Sequence, residues 1–247
     1  MSSPDYAITP TLFAAAPPST FIAATGTAAK IVVDQTAPAV AGAVPTYGGS
    51  AANPLLGSSN TPQLYGGCTV IDLVASSTDA AKDVQLYVGT VATTQSVGAT
   101  GNLTTTTSTI VRASGSFITD GWAPGDLVMT FSPFGAAANA AVDGILGVVT
   151  GVAALTLTVN GTPFAALTLA AGTRVVRVRP HFKQTVAATA GTANNVPSQG
   201  LLGQINDGSA VRTELKLGAN NVLIAALAAA ASALPAYVSV GAVVALY

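Results

Sequence analysis

The chain has 247 residues, 50% of them hydrophobic and only 8% charged, and its nine Lys or Arg against ten Asp or Glu leave a net charge of −1. That balance excludes a protein drawn to nucleic acid by overall charge, because such binding needs several cations to displace counterions, and a mean hydropathy of +0.56 excludes a disordered chain. One cysteine, Cys68, excludes an internal disulfide and a cysteine metal motif.

Residues 1–66 read as an extended N-terminal arm. The opening MSSPDYAIT has neither the basic nor the apolar region of a signal peptide. Pro4, Pro10, Pro17, Pro18, Pro38, Pro45, Pro54 and Pro62 recur through the arm, and proline excludes long helices by removing donors and fixing φ. Thr20–Ala24 and Lys30–Asp34 are its two extended pieces, and Tyr47-Gly-Gly and Tyr65-Gly-Gly are loop-like. Such an arm crawls over a neighbour or over the chain's own sheets.

Cys68–Ala75 is β-branched and apolar, and Asp83–Val91 alternates, with Val84, Leu86 and Val88 on one face. With a turn through Ser76–Ala81 this predicts a half-buried antiparallel pair. Residues 93–108 are rich in Thr, Gly and Ser and read as a linker.

Residues 109–180 read as an inserted small β-barrel or sandwich domain. Its expected strands are Ile110–Ala113, Leu127–Phe131, Ile145–Thr150, Leu155–Val159, Phe164–Leu169 and Thr173–Val178. Ala123-Pro-Gly-Asp126 is a turn with proline in second place, and Asn160-Gly161 is a tight-turn signal. Beyond it, Gln184–Thr189, Leu201–Ile205 and Val211–Leu217 are expected strands, with a turn at Asn206-Asp-Gly208. Tyr237–Leu246 alternates as a strand, Val222–Leu227 is its expected hairpin partner, and the alanines between form a turn or a short helical turn. The apolar run from Val222 to Ala231 falls short of the roughly 20 residues of a membrane helix. The fold class is all-β: an antiparallel β-sandwich, discontinuous over 67–108 and 181–247, carrying the inserted domain and the arm.

Three segments resemble, in this order, a recurring module of tailed-bacteriophage virion proteins: VIDLVASSTDAAKDVQLYVGTV at 70–91, LLGQINDGSAVRTELKLGANNVLIAAL at 201–227 and AYVSVGAVVALY at 236–247. ASGSFITDGWAPGDLVMTF at 113–131, with LTLTV at 155–159, is similar to small β domains embedded in phage head and tail proteins. Where those domains carry an Asn-Asn-Gly turn, this chain has Ala138 to Gly144. The resemblance implies a β-sandwich that assembles on a phage particle.

The densest cluster of basic residues is Arg174, Arg177, Arg179 and Lys183, with His181 between them. On a strand, Arg177 and Arg179 project to one side and Val176 and Val178 to the other. Two neighbouring guanidiniums can grip a carboxylate on another subunit; the alternatives are a solvated strand face and a nucleic-acid contact.

Catalysis finds no support. His181 is the sole histidine, and no G-x-S-x-G elbow, calcium loop or phosphate-binding glycine loop occurs. Asp120, Asp126, Asp143 and Asp207 sit in turns or beside glycines, where Asp serves local hydrogen bonds, and Asp72, Asp79 and Asp83 flank strands and a turn. Cys68 reads as a small buried apolar residue. Trp122, Phe117, Phe131 and Phe134 read as core of the small domain, with a carbohydrate platform as the alternative.

The expectation is a non-enzymatic virion protein, assembled in the host cytoplasm, with no cofactor, metal or small-molecule substrate. Its partners are other copies of itself (a trimer fits local three-fold points) and the major capsid protein or another virion protein, with no nucleic acid and no membrane. The first reading is a capsid decoration or cement protein. The second is a tail or neck component such as a tube, collar or fibre-base protein, and the third is a glycan-binding receptor module.

Overall fold

The computed structural model describes residues 6–14, 28–34, 67–91, 103–131, 141–170, 173–192, 196–201, 205–206, 211–212, 215–218, 221–229 and 237–246. Every regular element among them is a β-strand and none is a helix. In chain order the first four are β1 (Tyr6–Ala14), β2 (Lys30–Asp34), β3 (Gly67–Ser77) and β4 (Lys82–Val91). Six short strands follow: β5 (Leu103–Thr105), β6 (Thr109–Arg112), β7 (Leu127–Phe131), β8 (Gly147–Val152), β9 (Thr156–Val159) and β10 (Leu167–Thr168). The long β11 (Arg174–Val186) leads to β12 (Gln199–Gly200), β13 (Ile205–Asn206), β14 (Val211–Arg212), β15 (Leu215–Gly218), β16 (Asn221–Leu227) and β17 (Tyr237–Leu246). The chain divides into two compact units, Gly89–Arg179 and the chain on either side of it.

The larger unit is a sandwich. In one layer β17 pairs antiparallel with β3, from Val238↔Ser77 to Leu246↔Cys68, and with β1 on its other side. β12 and β15 pair with different stretches of the free edge of β3. The edge position of β1 is where a sheet tolerates a proline such as Pro10. The facing layer runs β11, β4, β16, β2. Alternation puts Val84 and Leu86 of β4 and Val238, Val240 and Ala242 of β17 inward. They meet Val33, Leu73, Leu217 and Leu223 in one aliphatic core. Cys68 is buried in that core, and burial pushes its thiol up to about 12.

The smaller unit is a sheet ordered β10, β5, β6, β9, β8, β7 and the first part of β11. β8 serves two neighbours: Gly147 and Val148 pair with β7, and Val149 to Val152 pair with β9, with a bulge between Val149 and Gly151. The core takes Leu103 from β5 and Val175 from β11, so the sheet wraps around it. Phe117, Trp122 and Phe164 fill the centre.

The structure departs from the sequence reading in several places. The pair expected from Cys68–Ala75 and Asp83–Val91 does not form: β3 pairs with β17, β12 and β15, while β4 lies in the facing layer between β11 and β16. Tyr6–Ala14 is a strand that the reading of the arm did not name. The linker read at 93–108 contains β5, because Leu103 and Thr105 are buried and Thr105 Oγ1 donates to the carbonyl of Ala165 at 2.7 Å. The two strands expected at Thr173–Val178 and Gln184–Thr189 are the single β11, which runs through Pro180. β7 pairs only with Arg174–Val178, so it asks no N–H of residue 180. Phe164–Leu169 is strand only at Leu167–Thr168, and Asn160-Gly161 turns the chain into that loop rather than into a hairpin. Val222–Leu227 is a strand, but its partners are β2 and β4 instead of β17. Of the arm, β1 and β2 lie in the chain's own sheets. Thr20–Ala24, the Tyr47 loop, Tyr65 and Gly66, Phe134, Ala138–Ala140, Asp207 and most of the alanine run lie outside the described residues.

Candidate functional site

The segment between β6 and β7 is built around a buried cation. Arg112 is 4% exposed. Its Nη1 meets Asp120 Oδ2 at 2.6 Å, its Nε donates to the Ser114 carbonyl at 2.5 Å, and its guanidinium lies 4.8 Å from the Phe117 ring centroid. Room for that guanidinium comes from Gly115, whose φ of +80° suits glycine and where a Cβ would lie 1.7 Å from Arg112 Nη2. A tight turn follows: the Asp120 N–H donates to the Ser116 carbonyl, Gly121 to Ile118 and Trp122 to Phe117. Ala123-Pro-Gly-Asp126 then closes as a type II turn, with Gly125 at φ +95° and the Asp126 N–H on the Ala123 carbonyl at 3.1 Å.

β11 brings a second cation onto the far side of this segment. Arg177 lies 4.8 Å over the Trp122 ring. Its Nη2 donates to the Asp120 carbonyl at 3.1 Å, and its Nε stands 3.3 Å from Asp126 Oδ2. The Nε contact is poorly aligned for a hydrogen bond, so Arg177 and Asp126 form an ion pair there. Phe117 meets Trp122 edge-on at 6.2 Å and 87°. Arg112, Phe117, Trp122 and Arg177 thus form one row of contacts, two rings between two cations, each cation–π contact contributing about 0.5–2 kcal/mol.

Beside this row lies a cavity of about 260 Å³ lined by Thr90, Asp120, Trp122, Arg177 and Arg179. Its lining runs from buried Trp122 to exposed Thr90 and Arg179. Trp122 is 5% exposed and one ring face is taken by Arg177, so no broad indole face is offered for stacking a sugar. Its Nε1–H is buried and has no acceptor among the described residues. An unmade donor of this kind costs about 1–3 kcal/mol. Arg179 has no ion pair or hydrogen bond among the described residues.

The basic cluster read from sequence is therefore divided. Arg177 and Arg179 come together at the cavity, but Arg177 is held in the row of contacts. Arg174 pairs in register with Phe131 and does not line the cavity. Lys183, in the other unit, meets Asp83 Oδ2 at 2.8 Å, and Thr185 Oγ1 donates to the other oxygen at 2.6 Å. Hydrogen bonds from Lys183 and Thr185 hold the Asp83 carboxyl below its ordinary value. His181 is half-buried on the same strand.

Sequence reading missed Arg112, Asp120 and Asp126 as parts of the site. It assigned the aspartates to turns, which is true of Asp126, whose Oδ2 accepts from the Ala123 N–H at 2.9 Å. The available signal was a lone tryptophan between two turn signatures, five residues after Phe117 and ten after Arg112. No group of three His, Cys, Asp or Glu that could hold a metal occurs among the described residues. A scan against protein-family models found no match, and neither the curated proteins nor the solved structures gave one.

Proposed function

We propose that the chain is a structural protein of a tailed-phage virion, and first a capsid decoration or cement protein that clamps neighbouring shell subunits. The observation that carries this reading is the poverty of charge. Nine basic and ten acidic side chains serve an accessible area of 10,972 Å². Arg112–Asp120, Arg177–Asp126, Lys183–Asp83 and Lys82–Asp79 are moreover spent on one another. Neutral surface of this kind favours association, and a shell neighbour covers it.

The clamp has a physical basis in burial. A contact covering a few hundred Å² of apolar surface contributes several kcal/mol at about 25 cal/mol/Å², before the cost of association. A repeating lattice multiplies that through many simultaneous contacts. The tail or neck reading differs in geometry: it requires closed rings or tubes of the purified chain.

The test is sedimentation of the full chain, alone and mixed with capsid shells that lack it. A decoration protein co-sediments with shells at lattice stoichiometry, while a tail or neck protein forms rings and ignores shells. A chain that stays monomeric at high concentration and ignores both shells and tails overturns the proposal.

A further inference from the structure

We propose that the Trp122 cavity of the smaller unit receives a carboxylate, and specifically an Asp or Glu side chain of a protein neighbour. The inference rests on the reading that this chain works through contact with protein, and it names the chemistry of one such contact.

Charge arithmetic at the site points to an anion. Arg112 is matched by Asp120 and Arg177 by Asp126, each within ion-pair distance. Arg179 remains, with no partner among the described residues, at the exposed end of the cavity lining. A guanidinium presents two parallel N–H groups that fit the two oxygens of a carboxylate. The Asp120 carboxylate does not oppose an incoming anion, because it is 4% exposed and bound to Arg112. An unpaired cation at the mouth of a cavity whose other charges are matched calls for a ligand that accepts hydrogen bonds and carries negative charge.

Size selects the source. The cavity, about 260 Å³, is below the roughly 300–1,000 Å³ of sites for whole small molecules, and suits the end of a side chain. An acidic sugar has the same carboxylate but needs space or an exposed ring face for its pyranose, and Trp122 offers little face.

Two measurements on the full chain test this. Trp122 is the single tryptophan, so its fluorescence reports the cavity directly. Saturable change on adding N-acetyl-glutamate amide, at least tenfold weaker with N-acetyl-glutamine amide and lost in Arg179→Gln, is the expected result. Equal response to both amides, or a response to glucuronate alone, overturns the protein-carboxylate assignment. The second measurement is assembly, either self-association or binding to capsid shells. Arg179→Gln is expected to weaken it tenfold or more, and Arg179→Lys by less. Wild-type assembly unchanged in Arg179→Gln overturns the cavity proposal while the association reading stands. Wild type that fails to assemble at all removes the association reading itself.

Discussion

The two units reach a packed β core by different means. The larger unit has strands of up to 11 residues, and the buried core residues among those described are aliphatic apart from Cys68, with half-buried Phe182 packed against them. Its long ladders, such as β3 with β17, fix the chain by backbone pairing, and small side chains suffice to fill the space between layers. Strands β5 to β10 of the smaller unit have two to six residues. Ladders that short leave the segment between β6 and β7 with only scattered backbone bonds, such as those of Phe117 to Ala154 and Gly125 to Val149, and the buried Arg112–Asp120 pair, three aromatic rings and Arg177 help to hold it. Where backbone pairing is brief, side-chain chemistry must specify the loop, and the same side chains then make a cavity with chemical character.

Each unit carries its own unique probe, Trp122 in the smaller and Cys68 in the larger. The largest effect is expected from Arg112→Met, which leaves Asp120 buried and unmatched. About 3–5 kcal/mol is lost from the smaller unit, seen as earlier unfolding by Trp122 fluorescence, while Cys68 alkylation in denaturant keeps its midpoint. Arg112→Met with Asp120→Leu recovers part of the loss, because no charge is then orphaned. If both probes shift together in Arg112→Met, the two cores unfold as one and the contrast between them fails.

Leu73→Ala is the converse test. Leu73 is fully buried in the aliphatic core, and truncation costs about 2–5 kcal/mol. Cys68 becomes reactive at lower denaturant while the Trp122 transition stays in place. A shift in Trp122 alone would contradict the assignment of Leu73 to the larger unit.

A smaller effect is expected from Gly115→Ala, since left-handed backbone costs a non-glycine residue about 1–2 kcal/mol. The added Cβ also displaces Arg112, so Trp122 emission shifts in the native state, which a purely backbone cost would not produce.

The smallest effect concerns the exposed Lys183–Asp83 pair. Its carboxyl titrates below the ordinary 3.8, through its hydrogen bonds to Lys183 and Thr185. Its contribution is therefore complete above the ordinary value and is lost as pH falls through the lowered one. Carbon NMR of the Asp83 carboxyl checks this: Lys183→Met moves the midpoint upward. An unchanged midpoint sinks the assignment, and neutral-pH stability changes little either way, as for surface pairs in general.

Much of the fold was legible. Leu127–Phe131 and Tyr237–Leu246 were readable to the residue, because β-branched alternation is a local property. The site was legible only in part. Arg177 and Arg179 follow from strand parity, but their different fates do not, since one is held by residues far along the chain. β5 escaped notice because a threonine-rich stretch reads equally as linker and as strand until burial of Leu103 and Thr105 decides. Pro180 suggested a break, yet β11 continues through it, beyond the stretch that β7 pairs.

The sequence by itself determined that this protein is built of strands and nearly bare of charge, because periodicity and composition are carried by neighbouring residues and need no partner. Tertiary structure alone decided which charges are spent and left Arg179 without a partner among the described residues. Arg177 meets the Asp120 carbonyl across 57 positions of chain, and sheet register, a long-range quantity, sets that meeting.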